Sequence, residues 1–492
     1  MSQELWRSSS ELSIGEISRY RIKFDQSQNV NSFPPPIQNL VIKITNKTPS
    51  IYRVAVLSGP YNISASVIST NQIKQPQILC YIPQCKPMIS CGKSMKSNLT
   101  IPSNNVEEWT VEIISEALFS NIKVKYEVSL YAFISKDISK EMYSSLITYE
   151  TYKTVDILGL RRLSSSGSNN DLHLIMLTHG LHGTVLDKLY LKEAIQERYS
   201  DNNNRIIVYT SDINHLLTEE GIEKCSKRLA EHVLRYIGWK QFDKPIISKI
   251  SMIGHSLGGL FNIFVAGYLH DVTNGTFFKK VKPIHFITIA SPLLGSTELA
   301  WYIKFPMKLG SFGRTGKELI LNKHAKDVEP LILSLSHPSS SSHITIKKFH
   351  KRTLYANVVN DFLVSIKTSS LYFLDDDLTN GIRSLGLIEN LKHLLITFYP
   401  PNITKDYLDR SFSGISPIIH DRIYEPKDIP SPSQNHLLIE EKIARNWHKD
   451  MSWRKVLVHI EGAAHMDVVV RRKWLNSAGT QVIEHLLNYH EL

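Results

Sequence analysis

The sequence predicts two domains of different class in tandem. An antiparallel β-sandwich comes first, then an α/β domain on a doubly wound, mostly parallel sheet. Three observations predict this. Residues 12–156 carry short alternating apolar–polar runs cut by turn formers, and residues 161–170 are rich in Ser and Gly. Beyond residue 172 near-continuous apolar runs alternate with helical patterns. A chain of 492 residues also calls for a division, since single cores seldom exceed about 250–300 residues. The expected boundaries are a β-rich domain over 1–160 with a membrane or regulatory role, a linker over 161–171, and an α/β domain over 172–492.

In the first region, alternation marks strands at Leu40–Thr45, Ile51–Val56 and Ile122–Leu130. Pro34–Pro36, Asn46–Pro49, Gly59-Pro60 and Pro102–Asn105 separate them, which suits a sandwich. One helix is expected, over Val106–Phe119. After the linker, Leu172–Leu177, Arg205–Tyr209, Ile250–Ile253, Ile284–Ile289, Leu354–Val359 and Val456–Ile460 read as strands buried on both faces. Between them Ile222, Cys225, Leu229, Val233 and Ile237 recur at helical spacing, behind a Thr218 cap with Glu219 and Glu220 in the first turn. Strands alternating with helices imply a doubly wound sheet.

Composition narrows the class. Apolar residues are 42% and charged residues 21%, an ordinary globular balance. The net charge of +11 favours anionic partners, a phospholipid surface or a nucleic acid. Four cysteines exclude a disulfide scaffold. Cys80, Cys85 and Cys91 are too loosely spaced for a zinc site. The N-terminal residues lack a signal-peptide pattern, and no run of about 18 apolar residues marks a spanning helix. An intracellular protein, cytoplasmic or peripheral on membranes or lipid droplets, is therefore expected.

The strongest local signal is Gly254-His-Ser-Leu-Gly258. An apolar strand leads into it and an apolar helix leads out, the context of a nucleophile elbow. Gly254 and Gly258 allow the tight turn that lifts the Ser256 hydroxyl above the sheet. Acyl transfer also needs oxyanion donors. The Leu257 N–H at the new helix start is one, and the loop Thr178–Gly183 after an earlier strand offers the Leu181 N–H as the other. In α/β-hydrolases the partners follow in the order Ser, Asp/Glu, His. His465 follows the last strand-like run. His255 points away, His179 and His182 belong to the oxyanion loop, and His459 is expected inside a strand. Asp361 follows the strand before, with Asp375, Asp376 and Asp377 as rivals.

With these residues in place the chain resembles the fungal serine esterases and lipases of the α/β-hydrolase fold, the yeast monoglyceride-lipase-like and phospholipase-like proteins. The matching blocks are THGLHGT (178–184), GHSLGG (254–259), ASPLLGS (290–296), GRTGKEL (313–319), LYANVVND (354–361) and WRKV…AHMDVVVRR (453–472). They cover most of residues 170–490. The region ISRYRIKF…YRVAVLSGPYNI also resembles the N-terminal domain of the longer yeast members. The resemblance implies hydrolysis of lipid acyl esters and puts Ser256, Asp361 and His465 on the triad positions.

Other signals are weaker. Gly313-Arg-Thr-Gly-Lys317 lacks the first glycine and the Ser/Thr of a phosphate loop. The basic runs Lys347–Arg352 and Arg471–Lys473 are either solvated faces or contacts for anionic headgroups. No nucleic-acid signature accompanies them, so no nucleic-acid partner is expected. Leu294, Trp301, Phe305 and Met307 are candidates for an acyl pocket or lid, with Leu394–Pro401 as a second rim. The leading expectation is a serine lipase or esterase acting on monoacylglycerol or phospholipid, without metal or organic cofactor. Two others stand beside it: an inactive hydrolase scaffold that binds membranes or partner proteins, and a non-lipid carboxylesterase or thioesterase.

Overall fold

Strands β1 (Ser2–Leu12), β2 (Ile17–Asp25), β3 (Asn39–Asn46), β4 (Ile63–Ser69), β5 (Lys86–Ile89), β6 (Ser94–Thr100), β7 (Val106–Ser115), β8 (Val124–Phe133) and β9 (Ile147–Lys153) build the first of two units, Met1–Arg161 and Arg162–Leu492. The computed structural model describes residues 2–25, 39–54, 61–70, 86–100, 106–116, 123–133, 145–158, 172–200, 205–239, 247–296, 312–321, 329–374, 416–432, 437–473 and 477–492. The residues 161–171, 301–307, 375–377 and 394–401 singled out above lie outside these, as do Cys80 and Cys85.

The first unit holds two antiparallel sheets, ordered β1-β8-β3-β6 and β5-β4-β7-β2-β9. Every second residue points inward along a strand. Tyr20, Ile22 and Phe24 of one sheet therefore meet Val124, Tyr126, Val128 and Leu130 of the other in one apolar core. The helix expected over Val106–Phe119 is instead β7, paired with both β2 and β4. Its glutamates suggested a helix surface, but a central strand of Val, Trp, Thr and Ile fits the pleat better. Glu112 is fully buried there and accepts two hydrogen bonds from Arg19, at 2.9 and 2.6 Å.

The second unit is built on β10 (Leu172–Thr178), β11 (Ile206–Thr210), β12 (Ile247–His255), β13 (Lys282–Ile289), β14 (Lys351–Asn357), β15 (Ile418–Tyr424) and β16 (Trp453–Val458). They form one sheet, ordered β11-β10-β12-β13-β14-β16-β15, parallel except for the antiparallel edge strand β15. Successive residues face opposite sides, and both sides are buried. Leu174, Met176, Ile250 and Met252 join one core, whereas Ile175, Leu177, Ile253 and Ile287 join another. The helices that cover the sheet include α1 (Leu189–Arg198), α2 (Ile222–Tyr236), α3 (Leu257–Val272), α4 (Gly313–Leu319), α5 (Ser341–Lys348), α6 (Ala464–Asp467) and α7 (Thr480–Tyr489). From β10 the chain steps outward to β11, then returns past β10 to β12 on its other side. Open α/β sheets bind ligands at such a reversal, outside the carboxyl ends of the strands.

Three local expectations change. The strand expected over Ile51–Val56 is, in its described part, a 3-10 helix over Ser50–Val54. The α2 cap is Gly221, at φ 110°, because the Thr218 hydroxyl is spent on the backbone N–H of His182. His459 lies just past β16 and is exposed. Among the described residues no helix is long and apolar enough to cross a membrane. All 20 histidines fall in the second unit, from His173 to His490.

Candidate active site

Ser256 sits between β12 and α3 with φ 56° and ψ −133°, a backbone conformation costly for any residue but glycine. Its own N–H donates to Ile289 O at 2.9 Å, which ties the turn to the neighbouring strand. The flanking glycines are dictated by close approach. A Cβ at Gly258 would lie 2.3 Å from Thr178 O, and one at Gly254 would lie 2.5 Å from Gly259 N. A Cβ at Gly180 would strike Ser256 Cβ at 2.6 Å, so the Thr178–Gly183 loop runs directly against the serine.

His465 lies on α6, just after β16, and is 4% exposed. Its Nδ1 meets the two Asp361 carboxylate oxygens at 3.1 and 3.0 Å. A carboxylate there selects the tautomer with the proton on Nδ1. Asp361 follows β14 and is itself held. Asn357 Nδ2 donates to Oδ2 at 2.8 Å, and the N–H groups of Leu363 and Val364 donate to Oδ1 at 3.2 and 2.9 Å. His255 does not point away from this group. Its Nε2–H donates to His465 O at 2.9 Å, and the two rings are 4.8 Å apart. Burial, then the charges of Lys188 and His465, push the His255 imidazole well below its ordinary range, so it stays neutral.

Among the described residues neither the Leu181 nor the Leu257 backbone N–H has a hydrogen-bond partner. The loop carrying Leu181 is pinned beside it. His182 adopts φ 50°, its N–H donates to Thr218 Oγ1 at 2.9 Å, and its Nε2 meets Glu219 Oε1 at 2.5 Å. Thr218 is held in turn, because its carbonyl accepts from Thr315 Oγ1 at 2.7 Å. The block Gly313–Lys317, which lacks the pattern of a phosphate loop, is therefore a brace. Thr315 and Glu318 of α4 also accept the N–H groups of Gly221 and Ile222 at 2.9 and 2.6 Å, where α2 begins.

A buried charge cluster adjoins the site that the sequence did not reveal. Asp187, Lys188, Arg471 and Arg472 are each under a tenth exposed. Arg471 and Arg472 were candidates for a headgroup-binding surface; their burial removes them from it. The other basic run is split. Lys347, Lys348 and Lys351 are exposed, whereas Arg352 donates inward to the carbonyls of Lys347 and Ser452 at 3.1 and 3.0 Å. Burial opposes the Asp187 carboxylate, but Arg471, Arg472 and Lys188 outweigh it and hold its pKa at about 2. Burial takes the Lys188 ammonium down to about 7.

Leu294 is buried against Gly295 and Thr368, its N–H donating to Thr368 Oγ1 at 2.9 Å. It lines a pocket of about 500 Å³, counting the open mouth, with Leu363, Tyr372, Leu438, Ser296 and Lys367. Among the described residues no His, Cys, Asp and Glu side chains cluster to hold a metal ion.

Comparison with known proteins identifies the family. The family model described as "Putative serine esterase (DUF676)" matches residues 168–371. The chain is 30% identical to "Putative lipase ROG1" of Saccharomyces cerevisiae over 99% of its own length and 83% of that protein. It is 25% identical to "Putative lipase C4A8.10" of Schizosaccharomyces pombe over 91% of its own length and 74% of that protein. Among solved structures, phospholipase PlaB from Legionella pneumophila aligns at 15% identity over 38% of each chain with a TM-score of 0.27. On the full-length match to its yeast relatives, this chain belongs to the serine esterase family described as DUF676.

Proposed function

We propose that the second unit is an α/β-hydrolase that cleaves acyl esters of glycerolipids, monoacylglycerol or phospholipid, through Ser256, His465 and Asp361. One observation carries the reading. A strained serine turn, a buried His–Asp pair and two unengaged N–H groups all lie past the carboxyl ends of β10, β12, β14 and β16 of one sheet. With Nδ1 turned to Asp361, Nε2 of His465 is the base that takes the Ser256 proton. Ser256 Oγ attacks the ester carbonyl, and the Leu181 and Leu257 N–H groups bind the oxyanion. His465 returns the proton to the leaving alcohol, and water then hydrolyses the acyl-enzyme. Asp361 keeps the imidazole oriented and stabilises its charged form. The relatives' names as lipases and the apolar part of the Leu294 pocket support a lipid substrate over a small polar ester.

The test is fluorophosphonate labelling of wild type and Ser256→Ala, followed by hydrolysis of glycerolipids and phospholipids in detergent or liposomes. Labelling should vanish in Ser256→Ala, and kcat should fall by roughly 10⁴–10⁶ with the fold retained. An unlabelled, well-folded wild type would favour the inactive scaffold. Activity indifferent to acyl length and interfaces would favour a non-lipid esterase or thioesterase.

A further inference from the structure

The cluster of Asp187, Lys188, Arg471 and Arg472 takes no part in the acyl-transfer steps, yet its members come from the two segments that those steps depend on. Asp187 follows the loop that carries Leu181, and Arg471 ends the turn that carries His465. Asp187 divides its carboxylate between them. Oδ2 accepts the N–H of Thr184 at 2.8 Å, while Oδ1 accepts Arg471 Nε at 2.8 Å, with Arg472 Nη1 at 3.5 Å. Arg471 and Arg472 follow Val470, a fully buried β-branched residue held at φ 50°. Such a residue leaves its preferred backbone region only where its surroundings impose it. The Arg471 N–H then closes the turn on Met466 O at 3.1 Å.

We propose that Asp187 is a positioning residue, whose buried pair with Arg471, backed by Arg472, sets the loop presenting the Leu181 N–H against the turn presenting His465. The inference rests on the esterase reading above. Packed leucines would hold two loops together without stripping water from charges, so a buried ion pair is a poor device for stability alone. It is a good device for orientation, because a planar guanidinium donates along fixed directions, here from Arg471 Nε to one carboxylate oxygen while the other takes the Thr184 N–H. Orientation matters here. An oxyanion donor has to sit about 2.7–3.1 Å from the developing charge.

Asp187→Asn alone takes the Asp187 charge from beside two buried guanidiniums and is expected to lower the Tm. The double variant Asp187→Asn/Arg471→Met removes one charge of each sign and should regain most of that loss. Wild type, the double variant and Arg471→Lys are compared by melting, by rate of fluorophosphonate labelling, and by kcat and KM on p-nitrophenyl butyrate. The double variant should melt near wild type yet label and turn over about 10- to 100-fold more slowly, with KM within about twofold. Arg471→Lys, which keeps the charge and loses the planar guanidinium that donates through Nε, should fall between. A double variant that melts normally and labels at the wild-type rate overturns the proposal. If the double variant does not fold, a wild-type kcat in Arg471→Lys overturns it equally. Wild type that takes no label at all removes the esterase reading, and the positioning role with it.

Discussion

Gly258 has no room for a methyl group: its Cβ would lie 2.3 Å from Thr178 O. Gly258→Ala should therefore part the elbow from the Thr178–Gly183 loop, costing about 1–3 kcal/mol of overpacking. Thermal melting would read the cost, and labelling of the folded fraction should fall as well. At Leu294 the expected effect is on choice of substrate. Leu294→Trp should shrink the pocket and lower kcat/KM for long acyl chains while sparing short ones; an unchanged chain-length profile would remove Leu294 from the acyl site. Ser256 was legible in the sequence because an elbow is a contiguous motif, dictated by backbone strain and close approach. His465 and Asp361 were placed by strand order. The Asp187–Arg471 pair was not legible. Its partners lie 284 residues apart, and Arg471-Arg472-Lys473 reads the same whether it faces water or a buried carboxylate.

At the level of elements, the parallel strands of the second unit were plain in the sequence because burial on both faces leaves continuous apolar runs. β7 was not. Its three glutamates match a solvated helix face as well as they match a strand, and only pairing with β2 and β4 decides between them. Glu112 is where that ambiguity has a measurable consequence. Glu112→Ala leaves Arg19 buried without its countercharge and should destabilise the first unit by about 3–5 kcal/mol. Urea unfolding followed by hydrogen exchange in peptides of residues 2–133 would measure it; a change below about 1 kcal/mol would show the pair to be dispensable. The start of α2 misled for a related reason. A Thr followed by two Glu is a good cap signal, but Thr218 serves His182, and the helix begins instead where Gly221 turns and Glu318 receives the Ile222 N–H.

Across the whole molecule the two units should part company in mild acid. Burial lowers the imidazoles of His179, His255, His285, His343, His448 and His490, to about 4 for His285, about 3 for His448 and about 2 for His490. Unfolded, each titrates near 6.5. Below that pH the unfolded chain binds protons that the fold does not, so stability falls as pH falls. By pH 5 each of His285, His448 and His490 should contribute about 2 kcal/mol to that loss. The first unit has no histidine and should hold through the same window. Peptide-resolved hydrogen exchange at pH 7, 6 and 5, corrected for intrinsic rate, separates the two; equal loosening of both would refute the histidine account. The division into two units was visible in the chain's change of rhythm, but the fate of each histidine was not, because burial is a property of the assembled sheet. That sheet has one more consequence. β16 is the last strand in chain order among the described residues, yet it lies between β14 and β15. A growing polypeptide must therefore leave a slot in its sheet until residues 453–458 have left the ribosome, with the edges of β14 and β15 open to wrong pairing meanwhile. His465 arrives with the strand that fills the slot, so under the proposed mechanism the serine gains its base only when the sheet is whole, and a chain cut before Trp453 should both aggregate and refuse the fluorophosphonate.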